Sequence, residues 1–225
     1  TQAESSAASD VYKRQVRSIM MKRYGVIGCG MMGQEHLRNI NLINDAIAYA
    51  IYEPNINMQK MAKKLAPEAR FYDSLDKILS DENIDCWLIV SPNHLHMDQL
   101  EQLAGIPHRP ILVEKPLFTE IKHLERIKNF SIKYSAPVWV AMEYRYMPPI
   151  AELIKRQNNV TGGIKMLSIR EHRFPFLPKV DNWNRFNKNS GGTFVEKCCH
   201  FFDLMRLITG SNPTKIMASG GQAVN

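Results

Sequence analysis

Cysteine is scarce in this sequence: four in 225 residues, at Cys29, Cys86, Cys198 and Cys199, with no Cys-x-x-Cys pair. Adjacent Cys198 and Cys199 suit neither a zinc site nor an ordinary disulfide. Buried, reduced thiols in a cytoplasmic protein are the simplest account, and no metal is expected. No run of about 18 apolar residues occurs, so no membrane span is expected. The first residues lack the apolar core of a signal peptide. Only 12 Gly and 12 Pro are present, which excludes collagen-like and low-complexity classes. No Lys/Arg run exceeds two residues, so nucleic acid is not an expected partner.

What is present is ordinary globular material, 44% hydrophobic and 23% charged. The net charge of +7 suits either anionic partners such as nucleotide phosphates or a mildly basic solvated surface. Residues 1–19 are expected to be a disordered, non-native leader: 1–15 are small and polar with no period, and resemble translated linker sequence. From residue 20 to 146 short apolar runs alternate with helical stretches. Strands are expected at 24–27, 46–52, 71–72, 86–90, 110–114 and 137–142, with helices from just after Gly33 to about 44 and over 57–65, 74–80, 95–104 and 119–134. That alternation implies a parallel sheet covered on both faces. The pattern changes over 147–225: a helix at 150–157, a half-exposed strand at 164–173, a loop over 174–190, a helix at 194–207 and the start of a strand at 215. A strand without partners cannot satisfy its backbone. The chain therefore reads as a complete first domain (20–146) and a partial second one (147–225), truncated at its C-terminus and not expected to fold stably alone.

The chemistry is carried by four clusters. Gly28-x-Gly30-x-x-Gly33 follows a strand and opens a helix, the context of a dinucleotide fingerprint. Gly28 allows the turn, Gly30 admits a pyrophosphate, Gly33 packs helix on strand, and the amides at Met31 and Met32 open the helix toward phosphate. Glu53 lies twenty residues beyond Gly33. A carboxylate there accepts ribose hydroxyls and repels a 2′-phosphate, favouring NAD over NADP. The plainer readings are a glycine-rich turn without ligand and a solvated strand-end Glu. Ser91, Pro92, Asn93 and His96 follow the fourth strand at the carboxyl edge, where ligands bind, although a simple helix start is equally served. Glu114 and Lys115 follow the fifth; a Lys there can stabilise a developing alkoxide or merely face solvent. Glu196, His200 and Asp203, at i, i+4 and i+7, are expected on one helical face, as a proton-transfer pair or as a polar surface.

In order and spacing, GVIGCGMMG at 25–33, SPNHLH at 91–96, EKP at 114–116, Tyr144-Arg145-Tyr146 before Pro148, and GGTFVEKCCHFFD at 191–203 resemble the Gfo/Idh/MocA family of NAD(P)-dependent oxidoreductases. The resemblance covers 22 to about 223. It implies an α/β protein: an N-terminal Rossmann doubly wound parallel sheet, then an α/β domain with an open sheet, here incomplete. It implies catalytic roles for Lys115, at the reacting oxygen, and His200, as acid/base, with Glu196 standing where many members have Asp and assisting His200. Trp183, Tyr144, Arg145 and His200 are the implied substrate-side residues.

The activity implied is NAD-dependent hydride transfer with a sugar, polyol or related carbonyl compound, in a cytoplasmic protein whose intact form is a homo-oligomer. Two other functions stay open: an NAD-using glycosidase of the same family, and a non-catalytic nucleotide-sensing regulator. Retention of Lys115 and His200 speaks against the regulator.

Overall fold

The computed structural model describes residues 21–172 and 177–219; the expected leader lies outside them. The described residues fall into two compact units, one containing 21–141 and 177–196, the other 142–172 and 197–219.

The first unit is built on six parallel strands: β1 (Lys22–Ile27), β2 (Ala46–Tyr52), β3 (Arg70–Tyr72), β4 (Cys86–Ile89), β5 (Ile111–Val113) and β6 (Val138–Val140). Their order is β3-β2-β1-β4-β5-β6, the doubly wound arrangement expected from sequence. The strands read as continuous apolar runs because both faces are covered. Alternate residues separate the two faces. Ile27, Trp87, Ile89, Ile111 and Val113 pack on one side with Leu100 and Phe130. Val26, Ile51, Leu88 and Val90 pack on the other with Leu37 and Ile40. Each such fully buried side chain contributes about 1.5–3 kcal/mol, so this two-layer core anchors the unit.

The crossovers are α1 (Met31–Ile40), α2 (Ile56–Leu65), α3 (Leu75–Leu79), α4 (His96–Ala104) and α5 (Leu124–Lys133). Side chains cap two of them. Asn55 accepts from the amides of Asn57 and Met58 at the start of α2, and Ser74 accepts from that of Lys77 at the start of α3. The chain order reverses direction between β1 and β4, which opens a crevice at their carboxyl ends. The segment 177–196 belongs to this unit too. Within the stretch expected as loop it forms a 3-10 turn, Val180–Arg185, and α6 (Asn187–Ser190); α7 (Gly192–Glu196) follows.

The second unit has a 3-10 turn at Glu143–Tyr146, α8 (Pro148–Thr161) and α9 (Cys199–Thr209). Pro148 sits in the first turn of α8, where its missing N–H costs nothing, and Gly162 ends that helix in the left-handed conformation. Two expectations fail here. Residues 164–172 and 215–219 form no strand, because the described residues offer neither segment a neighbouring strand to complete its ladder. The helix expected over 194–207 is broken at Lys197 and Cys198. The Glu196 carbonyl accepts from Lys115 Nζ at 2.8 Å, and the helical ladder restarts from the Lys197 carbonyl to the His200 amide.

Candidate active site

In the first unit the turn after β1 meets the turn after β4. Gly28 has φ of +93°, and a Cβ there would come within 2.6 Å of the Ser91 amide nitrogen. Only glycine fits that conformation and that approach. Gly33 lies on α1 against the Gly28 carbonyl, where a Cβ would stand 2.6 Å away. Gly30 is different: a Cβ would meet nothing within 4 Å. The space in front of it belongs to a cavity of about 1080 Å³ at the carboxyl edge of the sheet. Gly30 caps α1 with no side-chain partner for the first amides, so these face an anion-binding position.

Gly28, Gly30, Met31, Met32, Glu53, Ser91, Pro92, Asn93, Glu114, Lys115 and Trp183 all line this one cavity. Glu53 is held rigidly: Cys29 N–H donates to Oε2 at 2.5 Å and Asn55 N–H to Oε1 at 2.8 Å. A carboxylate has about four acceptor sites, so both oxygens retain capacity for ribose hydroxyls. Beside it, burial pushes the Cys29 thiol well above its ordinary value, with the Glu53 charge adding to the effect. Cys29 is therefore an inert core thiol.

Lys115 reaches the Glu196 carbonyl through Nζ. Its neighbour Glu114 is buried, with Oε1 2.6 Å from His36 Nε2 on α1, and its Oε2 accepts from the Lys115 amide at 3.2 Å. Burial opposes the charged form of Glu114, but the His36 hydrogen bond and the charges of His36 and Lys115 outweigh it, and its pKa falls below the usual carboxylate range. Lys179, on the same wall, lies 4.5 Å over the Trp183 ring and 3.5 Å from Glu196 Oε1. Burial lowers the Lys179 pKa, and the Lys115 charge acts the same way, against the pull of Glu196.

Two expected site residues, His96 and Glu196, are placed differently from the expectation, while Gly33 packs as expected. His96 is 0% exposed and is not in the cavity wall. Its Nδ1 lies 2.8 Å from the Pro116 carbonyl and its Nε2 2.9 Å from that of Ser91. It ties the turn after β4 to the turn after β5; burial lowers its pKa against the effect of both carbonyls. Gly33 is a packing residue, 2.6 Å being too close for any side chain. Glu196 does not share a helical face with His200 and Asp203, since the helix breaks between them. It holds two lysines instead, Lys115 by its carbonyl and Lys179 by its carboxylate.

The second unit carries the remaining residues. The Tyr144 and His200 rings lie parallel, 4.2 Å apart at 6°, and Glu143 Oε1 is 3.4 Å from His200 Nε2. Arg145 makes a two-pronged ion pair with Asp203, Nε to Oδ2 at 2.5 Å and Nη2 to Oδ1. Its guanidinium is thus engaged by Asp203. A carboxylate near His200 within this unit is that of Glu143.

The sequence reading missed His36, Lys179 and Glu143. His36 falls one helical turn after Gly33 on α1, which a helical wheel reveals. Lys179 lies in an irregular segment that carries no period. Among the described residues no group of three or more His, Cys, Asp or Glu could hold a metal, and no helix is long and apolar enough to cross a membrane.

Residues 22–142 match the model of an oxidoreductase family's NAD-binding Rossmann fold, and 152–225 match that family's C-terminal α/β domain. The chain is 28% identical over 204 residues to myo-inositol 2-dehydrogenase of Thermotoga maritima, covering 90% of this chain and 59% of that protein. A solved probable dehydrogenase of Thermotoga maritima superposes with a TM-score of 0.70 at 26% identity, over 84% of this chain and 56% of the other. A myo-inositol dehydrogenase of Lactobacillus casei, solved with NAD(H) and myo-inositol, superposes at 0.68 and 20% identity, over 85% and 55%; that likeness carries the fold. The chain spans less than two thirds of the length of each of these relatives.

Proposed function

The chain belongs to the Gfo/Idh/MocA oxidoreductase family, and from that membership we propose that it serves an NAD-dependent dehydrogenase acting on a CH–OH group of a sugar or polyol. The observation that carries the reading is the cavity in the first unit, where Gly30, Glu53 and Lys115 meet.

The residues fit a dinucleotide. The open space before Gly30 admits a pyrophosphate to the first amides of α1. Glu53, fixed by two amides, receives the adenosine ribose and disfavours a 2′-phosphate. When bound, NAD supplies the redox chemistry at its nicotinamide. The protein supplies binding, orientation and proton handling. Lys115 offers a cation to the reacting oxygen, held in place by the Glu196 carbonyl. Glu114 is kept ionised beside it by His36. His200 accepts the hydroxyl proton in oxidation and returns it in reduction. The first unit, including 177–196, serves as the nucleotide-binding domain, and the second contributes to substrate binding and self-association in a homo-oligomer. Four cysteines with no disulfide suit a cytoplasmic location.

The test is NADH absorbance in mixtures of the protein, NAD and a panel of polyols that includes myo-inositol. NADH is expected to accumulate with at least one polyol. Release of free sugar from glycosides without NADH accumulation would favour a glycosidase. Neither product across both panels would overturn the enzymatic reading.

A further inference from the structure

Beside His200, the second unit contains a cluster around a buried lysine whose purpose the reaction does not explain. Lys197 is 7% exposed. Its Nζ donates a short hydrogen bond to the Tyr144 hydroxyl and lies 4.5 Å from the centre of that ring, at its hydroxyl end. The Tyr144 hydroxyl donates in turn to Glu171 Oε1 at 3.5 Å, and Glu171 Oε1 is 3.4 Å from Lys197 Nζ. Burying an ammonium is costly unless it is paired, and here it is paired with a carboxylate and a phenol oxygen. A face of Tyr144 meets His200, which is 1% exposed, in a parallel stack at 4.2 Å.

We propose that Tyr144 and Lys197 are positioning residues that fix the plane of the His200 imidazole, Tyr144 as a flat stop and Lys197 as the anchor at its hydroxyl. The inference rests on the acid/base role of His200 and changes the expectation for Tyr144, from a group that touches substrate to one that acts through His200. The geometry favours this in three ways. A ring stacked at 6° restricts rotation of its partner about χ2. An anchor on the Tyr144 hydroxyl holds the far end of that ring. The Glu143 carboxylate lies 3.4 Å from Nε2, a second contact at the edge of the same ring. Fixing the plane matters because a misplacement of about 1 Å at a reacting group can cost on the order of 100-fold in rate.

The experiment combines side-chain NMR of histidine-labelled protein with steady-state kinetics. The variants are Tyr144→Leu, Tyr144→Phe, Lys197→Met, Lys197→Arg and His200→Ala, with NAD affinity as a check that the first unit is intact. Tyr144→Leu is expected to abolish the upfield ring-current shift of the His200 ring protons. It should also lower kcat by about 10- to 100-fold with KM little changed. Lys197→Met should move the same signals and kcat in the same direction but less, and Lys197→Arg should restore both. Tyr144→Phe keeps the stack and should retain most of each. Unchanged His200 signals in Tyr144→Leu and Lys197→Met would overturn the proposal whatever the activity. So would a rise in KM at constant kcat, which is the mark of a substrate contact. Full turnover in His200→Ala would remove the acid/base reading itself, an outcome distinct from failure of the two positioning residues.

Discussion

The two units place functional groups by different means. In the first unit the main chain does the placing: the Gly28 turn, the open space at Gly30, the first amides of α1, and the Cys29 and Asn55 amides that hold Glu53. In the second unit side chains do it: Tyr144 against His200, Lys197 against Tyr144, Arg145 against Asp203. Main-chain placement follows from element order and glycine spacing, so it tolerates almost no change at the glycines and much change between them. Side-chain placement depends on pairs far apart in sequence, so it is sensitive to several residues of the cluster and is not written in any local pattern.

The largest effect expected is on turnover. Lys115→Ala should reduce kcat by about 100- to 1000-fold while NAD still binds, because it removes a cation aimed at developing negative charge. Near-normal kcat in this variant would leave the first unit as a binding platform only and move the chemistry to the second. Next comes Gly28→Ala, which combines a left-handed φ with contacts of 2.6–2.8 Å to main-chain atoms of Val90 and Ser91. It should destabilise the protein by roughly 3 kcal/mol or more, read as a fall in the denaturant midpoint. An unchanged midpoint would contradict main-chain placement of the site.

Those two outcomes bear on what could be read in advance. All six strands were legible because a buried parallel strand is a short apolar run bounded by turn residues, and 46–52 was placed to the residue. The glycines and Glu53 were legible because their spacing is set by the turn and crossover lengths of the fold. His96 was misread because the sequence does not say which side of the turn a side chain faces, and here it faces inward to two carbonyls. Glu196 was misread because a uniform helix was assumed from 194 to 207. The break depends on a lysine 81 positions earlier reaching its carbonyl, which no local pattern encodes. Glu143, a carboxylate near His200 within the second unit, lies 57 positions before it.

A middle-sized effect concerns acid. The Glu114 pKa is lower in the folded protein than in the unfolded chain. Its pair with His36 therefore adds stability above the ordinary carboxylate range, and that stability is lost as pH falls through the folded value. Thermal melts of the wild type should drop on acidification, and Glu114→Gln should flatten part of the drop. An equal drop in both would show that the pair adds nothing. For Glu53, NAD should bind more tightly than NADP by roughly 10- to 100-fold, since a 2′-phosphate would meet a fixed carboxylate. Equal affinities would show that this carboxylate does not face the ribose.

The most direct test of the nucleotide cradle is calorimetric titration of NAD into the wild type and into Gly30→Val, with the melting temperature of each recorded alongside. Gly30 has φ of −64° and open space where a side chain would go, so the account predicts an unchanged melting temperature and a loss of NAD affinity of about tenfold or more, as the new side chain fills the approach to the first amides of α1. NAD binding to Gly30→Val as tight as to the wild type would contradict it.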